Sequence, residues 1–263
     1  MTAAESFAVT VGLKGGPLLS RTARTWAEEL QLPFLKRRRG ESLSKMRERY
    51  GLAGLLVATA RGPQVDTEEG ILRYHPGMAV LRVQELERGH LDHFVDACEL
   101  KPGDRVLDCT LGLAADAAIA SYVTGPSGKV VGLEASPLIW KVVSEGLKTY
   151  TDAPPELVEA LRRITVIRAN AREYIRTLPD DSFSVVYLDP MFQTPVEGSS
   201  NMQPLRPAAF HEEPDRAFVE AALRVAPRVV VKERYRGYME KLGASEIRGG
   251  RYSRVKYGII RRQ

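Results

Sequence analysis

In the second half of the chain, short apolar runs rich in valine and isoleucine alternate with stretches whose apolar residues recur every three or four positions. The runs "KPGDRVLDCT", "GKVVGLEAS", "ITVIRAN", "FSVVYLDP" and "PRVVVKER" predict buried strands. The stretches "AADAAIASYV", "PLIWKVVSEGLKTY", "AREYIRTL", "DRAFVEAALRV" and "YRGYMEKLG" predict helices between and after them. Proline opens the second of these helices at its first turn, where a missing N–H costs nothing. A hairpin-like segment, "EIRGGRYSRVKYGII", follows the last helix. Strands alternating with helices in this way predict an α/β domain with a parallel sheet covered on both faces.

The first part of the chain has a different rhythm. A strand in "SFAVTVG" is followed by a helix from Pro17 to Leu30, in which Leu19, Ala23, Trp26, Ala27 and Leu30 fall on one face. A strand-like "LPFLK", a basic helix from Ser42 to Tyr50 and a hairpin running from "GLLVATA" to "GILRYHP" complete a small α+β unit over residues 1–88. The stretch "LRVQELERGHLDHFVDACEL" reads as a helical joint into the second domain, residues 89–263.

In a parallel sheet, ligands bind at the carboxyl ends of the strands, near the point where the strand order reverses. Three strand ends carry candidate chemistry. In "VLDCTLGLAADAA", Asp108 ends a strand and Gly112 sits in a turn that opens a helix, a geometry in which backbone amides can face a ligand. Thr110 and Ala114 stand where a dinucleotide fingerprint would have glycine, so an ordinary strand-to-helix turn fits the same residues. In "VVGLEAS", Glu134 ends the next strand, about twenty positions on, where a carboxylate suits the two hydroxyls of a ribose.

The third is "VVYLDPMFQTP". Asp189 and the Pro190 carbonyl place two acceptors at the mouth of a core strand, Pro190 stiffens the turn, and Phe192 offers a flat apolar face. Two acceptors can hold the hydrogens of an exocyclic amine while a ring stacks on its base. That arrangement orients the nitrogen and favours the positive charge that grows on it during attack. Arg206, in the loop that follows, and Lys232, at the end of "VVVK", are candidate phosphate contacts.

Composition changes this picture little. The 263 residues are 44% hydrophobic and 27% charged, as expected of a folded, water-soluble protein. No run approaches the ~18 apolar residues of a membrane span, and the first residues do not form a signal sequence, so a cytoplasmic location is expected. Cys98 and Cys109 match no metal-ligand spacing and read as buried thiols; no metal is expected. Charge matters more. The net charge of +5 is concentrated in "LKRRRGESLSKMRERYG" and "IRGGRYSRVKYGIIRRQ", arginine-rich segments that suit either phosphate or a plainly solvated face.

Taken in order, "VLDCTLGLAAD", "GLEASP", "VVYLDPMF" and "RVVVKER" resemble class I S-adenosylmethionine-dependent methyltransferases. More narrowly, they resemble the RsmJ-type family, which methylates the exocyclic amine of a guanine in small-subunit ribosomal RNA, and its close uncharacterised relatives, over the stretch from about Tyr74 to the carboxyl terminus. The resemblance implies a Rossmann-like class I methyltransferase sheet and S-adenosyl-L-methionine as cofactor. Asp108, Thr110, Leu111 and Gly112 would surround its methionine part, Glu134 would bind its ribose and Asn170 would lie near its adenine; Asp116, Ala135 and Asp189 belong to the same cofactor set. Asp189, Pro190 and Phe192 match the motif that places the target base, with Met191 where the usual motif has a second proline or another residue. RNA, ribosomal RNA or the small ribosomal subunit, is the implied partner, with the amino-terminal unit as a candidate RNA contact. Two alternatives remain open at this level: another methyl acceptor, such as an adenine amine, a protein or a small molecule, and an RNA-binding relative without activity.

Overall fold

The structure, a computed structural model, describes residues 7–190 and 213–262. In chain order its elements begin with β1 (Phe7–Val11), α1 (Pro17–Leu30), α2 (Leu43–Tyr50), β2 (Gly54–Thr59), β3 (Gly62–Thr67), β4 (Gly70–Arg73), α3 (Ala79–Glu87) and α4 (His93–Cys98). They continue with β5 (Arg105–Asp108), α5 (Ala115–Thr124), β6 (Lys129–Glu134), α6 (Pro137–Thr149), α7 (Pro155–Arg163), β7 (Ile164–Arg168) and α8 (Ala171–Thr177). Last come β8 (Val185–Leu188), α9 (Arg216–Val225), β9 (Arg228–Glu233), α10 (Arg236–Lys241), β10 (Glu246–Arg248) and β11 (Lys256–Arg261). No helix of the described residues is long and apolar enough to cross a membrane.

The described chain divides into two compact units. The first holds the residues up to His75 together with Ser136–Thr149; the second holds Pro76–Ala135 and the described residues from Tyr150 onward.

In the first unit, four strands pair in the order β1-β2-β3-β4, parallel between β1 and β2 and antiparallel thereafter. Two expectations are corrected here. The hairpin is a three-strand meander, because "GPQVDT" forms β3 despite its polar residues. Those residues carry partners: Arg47 Nε donates to Asp66 at 2.9 Å, and Arg73 Nε donates to Gln64 at 2.8 Å. The segment "LPFLK" forms only an isolated bridge, with Val9 hydrogen-bonded to Pro33 and Leu35; Pro33 has no N–H to extend a ladder. Helix α6 belongs to this unit and packs against β3. Its Lys141 is buried, ion-paired with Glu29 at 2.5 Å and set over the rings of Trp26 and Trp140.

The second unit is built on a seven-stranded sheet of order β10-β11-β9-β8-β5-β6-β7, parallel from β9 to β7, with β11 and β10 antiparallel at one edge. The expected α/β sheet is therefore present. Its core sets Leu107, Val131, Leu133, Val186, Leu188, Val229 and Val231 against Ile175 of α8 and Phe218, Val219, Ala222 and Val225 of α9. Helix α7 was not among the expected elements. Leu157, Ala160 and Leu161 are its buried face, and the hydroxyl of Ser121 in α5 bonds to its Ala160 carbonyl at 2.7 Å. The helical joint is two helices, broken at Gly89 in the left-handed region (φ 79°) and restarted by Asp92, whose carboxylate accepts from Phe94 and Val95 N–H groups.

Candidate functional site

Strand order reverses between β5 and β8: the chain proceeds from β5 to β6 and β7 on one side and places β8 and β9 on the other. Asp108 and Asp189 therefore leave the sheet side by side at the switch point, the place where open α/β sheets bind ligands. Thr110 ties the two strand ends together. Its hydroxyl oxygen accepts from the Asp189 N–H at 2.6 Å and lies 3.4 Å from Asp108 Oδ1, and its own N–H donates to Asp108 Oδ1 at 2.9 Å.

The turn after β5 is shaped by β6. Leu111 N–H donates to the Leu133 carbonyl at 3.0 Å and Gly112 N–H to Glu134 Oε2 at 3.2 Å. The Leu111 side chain lies on Gly132; a Cβ there would come within 2.3 Å of Leu111 Cδ1, so any larger residue would force the leucine side chain to shift. Ala114 holds a left-handed conformation (φ 60°), closed by its N–H bond to the Leu111 carbonyl at 2.8 Å. The turn thus has the backbone of a glycine-rich turn with an alanine at one of its demanding positions.

Glu134 is buried at the end of β6, with Ala135 half-buried beside it. Asn170 follows β7 and caps α8, its Oδ1 accepting from the N–H groups of Arg172 at 2.8 Å and Glu173 at 3.2 Å. Asp108, Thr110, Leu111, Gly112, Glu134 and Ala135 are thereby gathered at the ends of β5 and β6, and Asn170 stands at the end of β7, the next strand. Phe192 and Arg206 lie outside the described residues.

Beneath this edge runs a chain of charges that sequence reasoning did not anticipate. Arg82 of α3 grips Asp92 through two hydrogen bonds, at 2.7 and 3.0 Å, and donates to Asp116 Oδ1 at 2.6 Å. Asp116 Oδ2 accepts from the Tyr187 hydroxyl at 2.7 Å and from Lys232 Nζ at 3.1 Å, and Nζ also reaches Asp189 Oδ2 at 2.8 Å. Phe94 stands edge-on to Tyr187, 4.7 Å between ring centroids. Asp116, placed in the cofactor set by sequence, has both oxygens occupied by protein donors. Lys232, read as a phosphate contact, spends its ammonium on two carboxylates.

The electrostatics follow from this wiring. Burial pushes the Asp108 carboxyl up to about 7, assisted by Asp116 and Asp189 and opposed by the Thr110 N–H and Lys232. Burial also raises Asp189, and the Asp116 charge adds to it while Lys232 opposes. Burial works against ionisation of Asp116, but Lys232, Arg82 and the Tyr187 hydroxyl outweigh it and hold its carboxyl below the usual range. Burial likewise opposes the Lys232 charge, and Asp189 and Asp116 more than offset it, keeping the ammonium charged. Three carboxylates, Asp92, Asp116 and Asp189, face two cations, Arg82 and Lys232, so the network carries one excess negative charge. Asp108 Oδ2, Asp189 Oδ1 and the Pro190 carbonyl have no hydrogen-bond partner among the described residues. A partly buried, negatively biased edge with open acceptors fits a cationic ligand such as a sulfonium compound with an ammonium group.

A family model described as "Putative SAM-dependent methyltransferase" matches residues 68–254. The chain is 35% identical to the uncharacterized protein YpiP of Bacillus subtilis over 244 residues, covering 91% of this chain and 93% of that one. It is 30% identical to ribosomal RNA small subunit methyltransferase J of Pseudomonas aeruginosa over 222 residues, 81% of this chain and 80% of the relative. Among solved structures, the SAM-dependent methyltransferase NGO1261 from Neisseria gonorrhoeae shares the fold, with a TM-score of 0.63 over 97% of this chain and 95% of that one at 17% identity. With a family model along most of the chain and relatives aligned over four fifths of it or more, the protein belongs to the S-adenosylmethionine-dependent methyltransferases and is an enzyme of that class, with S-adenosylmethionine as its cofactor.

Proposed function

We propose that this enzyme methylates the exocyclic amine of a base in RNA, a guanine of small-subunit ribosomal RNA. The observation that carries the reading is the pair of open acceptors at the carboxyl end of β8, Asp189 Oδ1 and the Pro190 carbonyl, beside the switch point. The relative named ribosomal RNA small subunit methyltransferase J supports the choice of substrate. In the first unit, Lys36, Arg38, Arg39 and Lys45 are exposed and their side chains have no ion-pair partner among the described residues, which supports a phosphate-bearing partner. An RNA substrate of this kind also implies a cytoplasmic enzyme.

Asp108, Thr110, Leu111 and Gly112 would hold the methionine part of the cofactor, Glu134 its ribose, and Ala135 and Asn170 its adenine side. When bound, S-adenosylmethionine supplies a methyl group on a sulfonium. Asp189 Oδ1 and the Pro190 carbonyl would accept the two hydrogens of the target amine and fix the direction of its lone pair; Phe192 would stack on the base. The Asp189 charge favours the positive charge that develops on nitrogen. Once the methyl has moved, the amine's proton is acidic, and Asp189 Oδ1, whose proton affinity is raised by burial, can take it. Lys232 and Asp116 keep the Asp189 side chain in one orientation.

Nucleoside mass spectrometry of ribosomal RNA from cells with and without the gene tests the reading, together with the purified Asp189→Ala variant. A methylguanosine that disappears with the gene, and transfer to RNA that falls about a hundredfold or more in the variant while cofactor affinity holds, are expected. An unchanged nucleoside profile overturns the substrate; an Asp189→Ala enzyme of full activity overturns the role of that carboxylate.

A further inference from the structure

The carboxyl-terminal arginines divide into two groups. Arg248 pairs with Asp96, Glu99 and Glu246, Arg261 with Glu99 and Glu246, and Arg262 with Asp181. Arg251 and Arg254, at the turn between β10 and β11, are exposed and have no carboxylate partner among the described residues. Between them Tyr252 is 89% exposed, with the Arg251 guanidinium 5.5 Å from its ring centroid. A folded domain has no packing reason to hold a tyrosine so far into water between two unpaired arginines.

Strand register places this turn. Lys256, at the start of β11, lies opposite Glu233, the last residue of β9, and Tyr257 lies opposite Lys232. Arg248, at the end of β10, lies opposite Tyr257. The tip therefore projects from the same edge of the sheet as Asp108, Glu134 and Asp189. In strand order β11 is two strands from β8, on the side away from β5, β6 and β7. Two strand spacings are about 10 Å, within the span of an extended single strand of two nucleotides. The tip is also braced: Ser253 N–H donates to the Gly250 carbonyl at 3.0 Å, Lys256 Nζ to the same carbonyl at 2.5 Å, and Val255 N–H to Ser253 Oγ at 3.2 Å. Tyr235, 59% exposed just past the end of β9, adds a second aromatic on the adjoining strand end.

We infer that the β10–β11 tip is a second grip on the RNA, in which Tyr252 stacks on an unpaired nucleotide next to the target and Arg251 and Arg254 meet its phosphates. Stacking on an aromatic is indifferent to base identity and suits a single-stranded segment; the guanidinium forks suit phosphate oxygens. The inference rests on the RNA reading given above and concerns residues outside those assigned there to cofactor and target base.

The test uses the full chain, unmodified small-subunit ribosomal RNA as probe, and Tyr252→Ala, Tyr252→Phe and the double variant Arg251→Ala/Arg254→Ala. For Tyr252→Ala the KM for RNA is expected to rise about tenfold, with cofactor affinity and kcat at saturating RNA unchanged. Tyr252→Phe, which keeps the ring, should restore the KM. The double arginine variant should flatten the dependence of log affinity on log salt by about 1.4, two single-strand phosphates. If the wild-type enzyme methylates RNA and Tyr252→Ala leaves its KM unchanged, the grip is refuted and the substrate reading stands. If Tyr252→Ala weakens cofactor binding instead, the tip serves the other ligand and the inference is equally refuted. A wild-type enzyme inert on every RNA removes the substrate reading and the grip with it.

Discussion

Lys232 Nζ lies 2.8 Å from Asp189 Oδ2 and 3.1 Å from Asp116 Oδ2, so a single ammonium joins the carboxylate at the open edge to the one buried beneath it. The positioning of Asp189 therefore depends on Lys232, which sequence alone marks as a phosphate contact.

Lys232→Met removes the charge that opposes protonation of Asp189. Its carboxyl then rises further, and on the proposed mechanism a protonated Asp189 would present one acceptor fewer to the target amine. At neutral pH kcat should fall at least tenfold and recover in part toward pH 9, with cofactor affinity unchanged. Folding stability should drop by about 2 kcal/mol, below the usual cost of breaking a fully buried pair because the lysine side chain keeps some exposure. A pH–rate profile decides it: a loss of activity that stays constant across pH contradicts this role for Lys232.

Asp108 titrates at about 7 in the folded protein, far above the ordinary value near 4. A carboxyl raised by folding contributes stability that is fully present below the unfolded value and lost as pH rises through the folded one. The wild-type enzyme without cofactor should accordingly lose roughly 2–4 kcal/mol between about pH 4 and pH 7 through this group. Asp108→Asn, which keeps the acceptor for the Thr110 N–H, should flatten that slope in urea titrations. Cofactor binding below pH 7 should release a proton in the wild type, visible by calorimetry in buffers of different ionisation enthalpy.

Tyr187→Phe deletes the 2.7 Å hydrogen bond to Asp116 and leaves the edge-on packing with Phe94 in place. A buried hydroxyl bonded to a carboxylate is worth about 1.5–3 kcal/mol. Chemical denaturation should show a loss of that size, and a change under about 0.5 kcal/mol would remove the hydroxyl from the network's support.

Gly146→Ala sets two effects of opposite sign against each other. Alanine in a helix interior gains about 1 kcal/mol over glycine. At this position, however, the new Cβ would sit 2.1 Å from Tyr74 Cγ and 2.2 Å from Tyr74 Cβ, too near the main chain for the ring to swing clear. Overpacking of this kind costs about 1–3 kcal/mol, so the thermal midpoint should fall by several degrees; a rise would mean that Tyr74 yields easily.

Most of this was legible in the sequence where a polar residue interrupts an apolar run. Asp108 and Glu134 each end a strand, Asp189 directly follows one, and the alternation of strands with helices fixes which edge they share. The charge network was not legible, because its partners are brought together by tertiary structure alone: Arg82 and Asp116 are 34 positions apart, Asp189 and Lys232 are 43, and Asp116 and Lys232 are 116. Strand β3 was hidden for a related reason, since Gln64 and Asp66 look solvent-facing until Arg73 and Arg47 are found beside them. Arginine-rich segments announce charge but not its destination; only the folded chain separates Arg251 and Arg254 from Arg248, Arg261 and Arg262.

Helix α6 follows β6 in sequence, within the stretch that carries the catalytic sheet, yet it is part of the unit formed by the first residues, where Glu29 neutralises its Lys141. The enzyme is consequently no catalytic cassette with a detachable handle. A truncation that begins at Pro76, where the first unit gives way to the second, would strand a lysine that is only 3% exposed without its counter-charge, and so would damage what remains instead of liberating it.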